Sequence, residues 1–235
     1  MAETVVITGG TKGLGRALSL AFGHAGYPVR AIYRSDAAAA GELAREFDAQ
    51  GIEGECVCCD VTGESLTADA IAGVATRLVL INNAWPQYEP KPLHLTSLSE
   101  FDDGFSAGVK GAIVATRALL PRMVAARFGT VVNVLTGGLL GSAPKGFAPY
   151  LTAKHALVGF GCSVAAEYGA LGVRVFGVCS PFMDTPRTRG WNERLRTAIQ
   201  AASSRRVEPQ EVADAILSLS RDPGTEGKGE LHAVP

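Results

Sequence analysis

Two residues with complementary acid–base chemistry, Tyr150 and Lys154, stand four positions apart in the C-terminal half of the chain. If this stretch is helical, the two side chains lie one above the other on the same face. An ammonium held close to a phenol favours the phenolate, so the tyrosine can exchange a proton with a carbonyl or an alcohol. The pair therefore predicts proton transfer, although a helix face that merely carries one aromatic residue and one cation has the same spacing.

A glycine-rich turn near the N-terminus predicts a binding site for a dinucleotide. The β-branched run Thr4–Thr8 is followed by glycines at 9, 13 and 15 and then by a helical pattern. In such a strand–turn–helix unit, a diphosphate can approach main-chain N–H groups at the positive end of the helix. An ordinary strand-to-helix turn is the alternative. The residues assigned to the cofactor in this turn are Gly9, Thr11, Lys12, Gly13, Leu14 and Gly15.

Strand and helix patterns alternate along the chain, which predicts a parallel sheet with helices on both faces. Strands are expected at 4–8, 28–33, 54–59, 78–81, 130–135, 173–179 and 230–233, and helices at 16–25, 36–50, 66–76, 97–127, 149–168, 191–203 and 208–221. Residues 181–190 are expected to form a loop. The prediction is an α/β fold: one Rossmann-like, doubly wound domain of about seven strands covering residues 1–235.

Together these features resemble the short-chain dehydrogenase/reductase family, with the closest similarity to NADPH-dependent ketoreductases of the 3-oxoacyl type. The resemblance covers nearly the whole chain and implies reduction of a ketone to a secondary alcohol by hydride transfer. It is carried, in chain order, by the TGxxxGxG pattern that starts at Thr8, the Asn82-Asn83-Ala84 segment, the strand end from Asn133 to Thr136, the Tyr150/Lys154 pair and the segment from Pro181 to Thr185.

By this resemblance Tyr150 is the proton donor, and Lys154 holds the nicotinamide ribose. Thr136 stands where the family usually has serine, 14 residues before the tyrosine (150 − 136), and its hydroxyl can still bond the substrate oxygen. Ser142 is a weaker candidate for that role. The other residues that the resemblance assigns to the cofactor are Asp60, Val61, Asn83, Pro181, Met183 and Thr185; for Asp60 a helix N-cap is the alternative.

The residues around the end of the second predicted strand indicate NADP(H). Dinucleotide folds that bind NAD carry an acidic side chain near this point, whereas a cation there accommodates a 2′-phosphate. Here Tyr33 occupies the acidic position, Arg34 follows it, and Lys12 adds a second cation in the glycine turn. A solvated surface charge is the alternative for Arg34.

Besides Thr136, three residues depart from the family pattern. Gly108 replaces an asparagine of the long fourth helix that supports a water leading to the lysine, so the resemblance leaves the supply of protons open. Trp85 and Phe182 replace glycines at the carboxyl ends of strands, where ligands of such sheets bind. We expect one or both rings to face the substrate cleft and to favour bulky cyclic or aromatic ketones. The alternative is packing outward, under the loops around Pro86 and Pro186.

The composition disfavours several other classes of function. The net charge is −1, so no basic field attracts nucleic acid or an anionic membrane surface. No uncharged apolar stretch is long enough to cross a bilayer and no apolar leader precedes the first strand, so we expect a cytoplasmic protein. The five cysteines lack paired Cys-x-x-Cys spacing. Neither a metal site nor a disulfide framework is therefore expected.

The expected partner is a small-molecule carbonyl compound, and the expected assembly is a homodimer or homotetramer. Residues 97–127 and the helix after Pro149 carry more apolar residues than one sheet face can cover, and the resemblance implies that these helices pair between subunits. A sensor or scaffold protein of the same fold, binding NADP with weak or no catalysis, is an alternative that Thr136 and Gly108 keep open. A dehydratase or epimerase of the longer branch of the superfamily is disfavoured by the glycine spacing and by the lack of a separate substrate domain.

Overall fold

The computed structural model describes residues 3–64, 66, 68–141, 143–193, 196, 197, 199, 206–222, 225 and 227–234. The strands are β1 Thr4–Thr8, β2 Val29–Tyr33, β3 Gly54–Cys58, β4 Leu78–Asn82, β5 Gly129–Thr136, β6 Val173–Ser180, β7 Phe182–Met183, β8 Arg206–Val207 and β9 Lys228–Ala233. The helices are α1 Gly13–His24, α2 Ala37–Gln50, α3 Ala68–Ile71, α4 Leu98–Asp103, α5 Gly111–Ala126, α6 Ala148–Tyr168, α7 Pro186–Arg189 and α8 Pro209–Arg221. A π-helical segment, Gly104–Lys110, joins α4 to α5.

Seven of these strands form one parallel sheet in the order β3-β2-β1-β4-β5-β6-β9, which confirms the predicted doubly wound fold. The chain builds the sheet outward from β1 in one direction and from β4 in the other. The order therefore reverses between these two strands. In sheets of this kind the crevice for ligands opens at that reversal, outside the carboxyl ends of the strands.

Alternating side chains of the central strands pack against helices on opposite faces. Val5 and Ile7 of β1 belong to the apolar cluster that contains residues of α1, α2 and α8. Val6, between them, points to the other face, where the cluster includes Leu119 of α5 and Val164 of α6. Every residue of β1 and β4 is buried, as expected for strands covered on both faces.

Most predicted elements lie within a few residues of the observed ones, but two expected helices and one expected loop differ. The helix expected at 97–127 runs without a break from Leu98 to Ala126, but its middle part, Gly104–Lys110, is π-helical. The helix expected at 66–76 is reduced to the single turn of α3. The helix expected at 191–203 lies largely outside the described residues.

The loop expected at 181–190 instead contains β7 and α7, because β7 pairs with a distant segment. Phe182 and Met183 form a parallel pair with β8. Asp184, which follows β7, binds Arg196 and Arg206 at 3.2 and 3.1 Å. A strand of two residues whose partner comes more than twenty positions later carries no local periodicity, so the sequence pattern did not reveal it.

Candidate active site

A cleft of about 1070 Å³ lies along the carboxyl ends of the central strands. Every residue assigned from the sequence to catalysis or binding lines it, except Ser142, which lies outside the described residues. They are Gly9, Thr11, Lys12, Gly13, Leu14, Gly15, Arg34, Asp60, Val61, Asn83, Trp85, Thr136, Tyr150, Lys154, Pro181, Phe182, Met183 and Thr185. The fold therefore gathers residues from positions 9 to 185 around one space.

The glycine turn forms one wall of the cleft and fits the diphosphate of a dinucleotide. Gly9 and Gly13 have φ values of +64° and +52°, and a Cβ atom on Gly15 would collide with the carbonyl oxygen of Gly9. Lys12, the N-cap of α1, provides no side-chain cap, and the first turn contains no acidic residue. The first-turn N–H groups and the positive end of the helix therefore suit an anion.

Thr8 fastens β1 to the segment after β4. Its hydroxyl accepts hydrogen bonds from the N–H groups of Asn83 and Ala84 at 3.0 and 3.1 Å. The Asn83 amide in turn donates to the carbonyl oxygens of Thr8 and Gly9, at 3.0 and 3.1 Å. Asn83, which the resemblance places beside the adenosine ribose, thus has its side-chain N–H groups engaged in holding the glycine turn.

Two cations and two carboxylates lie at the end of the cleft near β2 and β3. Lys12 binds Asp36 at 2.7 Å between Nζ and Oδ2, and this hydrogen bond holds the pKa of Asp36 below its usual value. The N–H of Thr62 donates to Asp60 at 2.9 Å, which lowers the pKa of Asp60. Arg34 is exposed beside them. Asp60 caps no helix in the described part of the chain, so the N-cap alternative is wrong for it.

Tyr150 and Lys154 lie on α6, which starts with Pro149 in its first turn. Lys154 is only 3% exposed. Its Nζ donates to the carbonyl oxygen of Val134 at 2.7 Å and lies 5.6 Å from the centroid of the Tyr150 ring. The pair therefore meets the end of β5, where the hydroxyl of Thr136 accepts a long hydrogen bond of 3.4 Å from the N–H of Gly138.

Trp85 packs against both members of this pair. The centroid of its ring lies 3.9 Å from Lys154 Nζ and 5.0 Å from the centroid of the Tyr150 ring. The indole also packs so closely against Gly108 that an added Cβ atom would lie 2.7 Å from Cη2. The ring lines the cleft beside Tyr150 and Lys154.

Three further aromatic residues, Tyr88, Phe147 and Trp191, line the cleft without having been singled out from the sequence. The rings of Phe147 and Tyr88 lie 5.8 and 6.0 Å from that of Tyr150, and Phe182 lies 6.2 Å from Trp191. Burial raises the pKa of Tyr88, whose hydroxyl donates to the carbonyl oxygen of Gly146. These rings come from separate loops, so no spacing in the sequence signals their proximity.

A doubly wound sheet with a cleft at its strand reversal, and a tyrosine beside a buried lysine in that cleft, fit the class of Rossmann-type oxidoreductases that use a nucleotide cofactor. Residues 3–196 match the family model for short chain dehydrogenases. The chain belongs to this family, whose members are oxidoreductases that use nicotinamide cofactors.

Relatives and solved structures cover most of the chain. It is 30% identical over 237 residues to a 2-(R)-hydroxypropyl-CoM dehydrogenase of Xanthobacter autotrophicus, covering 96% of this chain and 94% of the relative. A 3-oxoacyl-[acyl-carrier-protein] reductase of Synechocystis is 28% identical, with 94% and 90% covered. An actinorhodin polyketide ketoreductase solved with NADPH is 25% identical with a TM-score of 0.83, covering 100% of this chain and 97% of that one.

None of the helices among the described residues is long and apolar enough to cross a membrane.

Proposed function

We propose that this protein is an NADPH-dependent reductase that converts a ketone into a secondary alcohol, with Tyr150 as the proton donor. The observation that carries the proposal is the position of Tyr150 and Lys154 in the same cleft as the glycine turn. The tyrosine lies within reach of the ammonium, and the ammonium is buried and fixed by the Val134 carbonyl oxygen. A fixed cation beside a phenol is the arrangement that proton exchange with a carbonyl oxygen needs.

The residues of the cleft divide the chemistry between them. A bound nicotinamide cofactor supplies the hydride. Tyr150 donates its proton to the carbonyl oxygen as negative charge develops there, and the hydroxyl of Thr136 binds the same oxygen. Lys154 stabilises the resulting phenolate and holds the nicotinamide ribose. The glycine turn binds the diphosphate through its N–H groups.

The preference for NADP(H) rests on Arg34, which is exposed at the adenosine end of the cleft and can bind a 2′-phosphate through charge-assisted hydrogen bonds. Lys12 contributes less than its charge alone implies, because Asp36 already pairs with it. Arg34 therefore carries most of the proposed preference. The structures of similar proteins are consistent with this, since the actinorhodin ketoreductase was solved with NADPH.

We place a bulky cyclic or polyketide-like ketone in the space between the aromatic residues. Trp85, Tyr88, Phe147, Phe182 and Trp191 all line the cleft, and each contacts another of them or Tyr150 in an edge-to-face or tilted arrangement. Flat apolar walls stabilise a flat apolar substrate by removing it from water. The actinorhodin ketoreductase acts, by its name, on a polyketide.

A homodimer or homotetramer remains part of the proposal. Leu98 of α4 is 82% exposed and Phe105 of the π-helical segment is 39% exposed. Both lie in the region 97–127, for which the sequence predicts a contact between subunits. Light scattering at micromolar concentration measures the assembly, and a monomer there would contradict this part of the proposal.

The proposal is tested by adding a panel of cyclic and acyclic ketones to the purified protein and following the absorbance of NADPH. Turnover of at least one ketone, lost in Tyr150→Phe, is the expected result. Binding of NADPH without turnover of any ketone would favour the alternative of a sensor or scaffold.

A further inference from the structure

Gly108 lies in the π-helical segment, in close contact with the Trp85 ring. A Cβ atom built on Gly108 would lie 2.7 Å from Cη2 and 2.8 Å from Cε3 of the indole, closer than carbon atoms can approach. Gly104, in the same segment, has room: an added Cβ there would lie 3.6 Å from the Cβ of Ala153 and 3.9 Å from the indole. The indole therefore requires glycine at position 108 and does not require it at position 104.

The face of the same indole lies against the ammonium of Lys154. Nζ is 3.9 Å from the ring centroid, and the lysine is 3% exposed. A buried ammonium has lost its water and needs compensating partners, and tryptophan offers the strongest aromatic face to a cation. Together with the Val134 carbonyl oxygen, the indole thus holds the charge at a defined point.

Packing contacts, and no hydrogen bond of Nε1 within the described residues, hold the indole in position. Its plane meets the Tyr150 ring at 76°, an edge-to-face contact. Its Nε1 is buried, and the described residues provide no acceptor for it. Leaving a buried N–H without a partner costs free energy, so the contacts with Gly108, Tyr150 and Lys154 must hold the ring in place.

We infer that Trp85 is a positioning residue of this site: seated on Gly108, it holds the Lys154 ammonium and the Tyr150 ring in a fixed relation. The inference rests on the proposed function, in which Tyr150 and Lys154 carry the proton transfer. It explains two departures from the family pattern together. An asparagine at 108 has no room beside the indole, and a glycine at 85 would leave a gap above Gly108.

The first test follows reduction of tetralone by NADPH, and oxidation of the corresponding alcohol, in the purified full chain. Trp85→Leu removes the aromatic face and keeps an apolar side chain. We expect kcat to fall by about tenfold or more. The pH at which kcat for oxidation is half-maximal should also move upward, because the phenolate loses its fixed ammonium. Trp85→Phe retains an aromatic face and should recover part of both effects.

A merely structural tryptophan gives a different result. Its loss lowers the melting temperature but leaves the pH of half-maximal oxidation where it was. A folded Trp85→Leu protein with wild-type kcat and an unchanged pH profile would overturn the inference.

The second test uses thermal unfolding of the protein without cofactor, so it does not depend on activity. Gly108→Ala should lower the melting temperature more than the matched Gly104→Ala. In a Trp85→Gly background the effect of Gly108→Ala should largely disappear, since the three atoms nearest to the added methyl group all belong to the indole. Equal effects at 108 and 104, or an undiminished effect in the Trp85→Gly background, would show that the indole is not seated on Gly108.

Tyr150→Phe, measured in the same tetralone assay, separates this inference from the proposed function. Wild-type turnover in Tyr150→Phe would remove the proposed function, and the positioning role with it. If Tyr150→Phe is inactive while Trp85→Leu matches the wild type, only the positioning role of Trp85 fails.

Discussion

Lys12 and Asp36 form an ion pair of 2.7 Å across the end of the cleft where Arg34 is exposed. The carboxylate that pairs with Lys12 also caps α2, accepting a hydrogen bond of 3.1 Å from the N–H of Ala39. Asp36 thus brings a negative charge close to the proposed phosphate site. The preference for NADPH over NADH should therefore depend on the charge of Asp36 as well as on those of Arg34 and Lys12.

Arg34→Asp should weaken NADPH selectively. Losing a charge-assisted contact with the 2′-phosphate costs about 1.5 to 3 kcal/mol, whereas NADH has no phosphate to lose. The measurement is kcat/KM for both cofactors in the wild type and the variant. Equal values for NADPH and NADH in the wild type would contradict the assignment of Arg34.

Asp36→Asn should act in the opposite direction. Removing the carboxylate releases the Lys12 ammonium and reduces the repulsion of a 2′-phosphate, so NADPH should bind more tightly relative to NADH. Titration of both cofactors by fluorescence measures the ratio of their Kd values. A shift toward NADH would contradict this expectation.

Tyr150→Phe should abolish turnover while nearly preserving cofactor binding, because only the phenolic oxygen is lost. Tyr168→Phe, at the end of the same helix and outside the cleft lining, is the matched control and should behave like the wild type. Lys154→Ala should impair both turnover and cofactor binding. Steady-state kinetics measure turnover, and titration measures cofactor binding. Wild-type kcat in Tyr150→Phe would rule out the proton-donor role.

Thr136→Val should lower kcat by about 100-fold, since it removes the hydroxyl proposed to bind the substrate oxygen while keeping the shape of the side chain. Thr136→Ser keeps the hydroxyl and removes a methyl group, so it should retain or raise kcat. Comparing the two variants isolates the hydroxyl from the space it occupies. Similar kcat values in both variants would mean that a group other than the Thr136 hydroxyl donates the hydrogen bond to the substrate oxygen.

Phe182→Ala should reduce the preference for bulky ketones. The loss of an apolar wall, worth about 1 to 3 kcal/mol, should lower the ratio of kcat/KM for tetralone to that for a small β-keto thioester by about tenfold or more. Using a ratio cancels any general loss of activity. An unchanged ratio in the folded variant would leave Phe182 with a packing role against Trp191 alone.

Cys179 lines the cleft yet should resist alkylation at neutral pH. Burial raises the pKa of its thiol to about 11, although nearby Lys154 acts in the opposite direction. The thiolate is the reactive form, so labelling at Cys179 should stay slow until the pH approaches about 11, while exposed Cys58 and Cys162 react first. Peptide mapping after iodoacetamide treatment across a pH series tests this. Labelling of Cys179 as fast as Cys162 at neutral pH would contradict the expectation.

The fold and the cofactor half of the cleft could be predicted because their signals are local. The β-branched run of β1 and the glycines that follow it dictate a strand, a turn and a helix within twenty residues of chain. The spacing of Tyr150 and Lys154 likewise depends only on one helix. Features of this kind can be predicted from the sequence because residues close together in the chain form them.

The remaining features depend on residues that meet only after folding. β7 needs β8, the aromatic residues around Tyr150 come from separate loops, and Lys12 meets Asp36 across 24 positions of chain. In the sequence, Trp85 and Gly108 are two separate departures from the family pattern. Their contact is visible only in three dimensions, because no periodicity connects a residue after β4 to the π-helical segment.

The seating of Trp85 on Gly108 also makes the effect of each residue depend on the other. A side chain at position 108 and the indole would occupy the same space. Trp85→Gly removes the indole and leaves glycine at both positions, where glycine at 108 costs about 1 kcal/mol relative to alanine in a helix. This variant should fold, whereas Gly108→Asn, which retains the indole, should not, and expression of the two proteins compares the two substitutions directly.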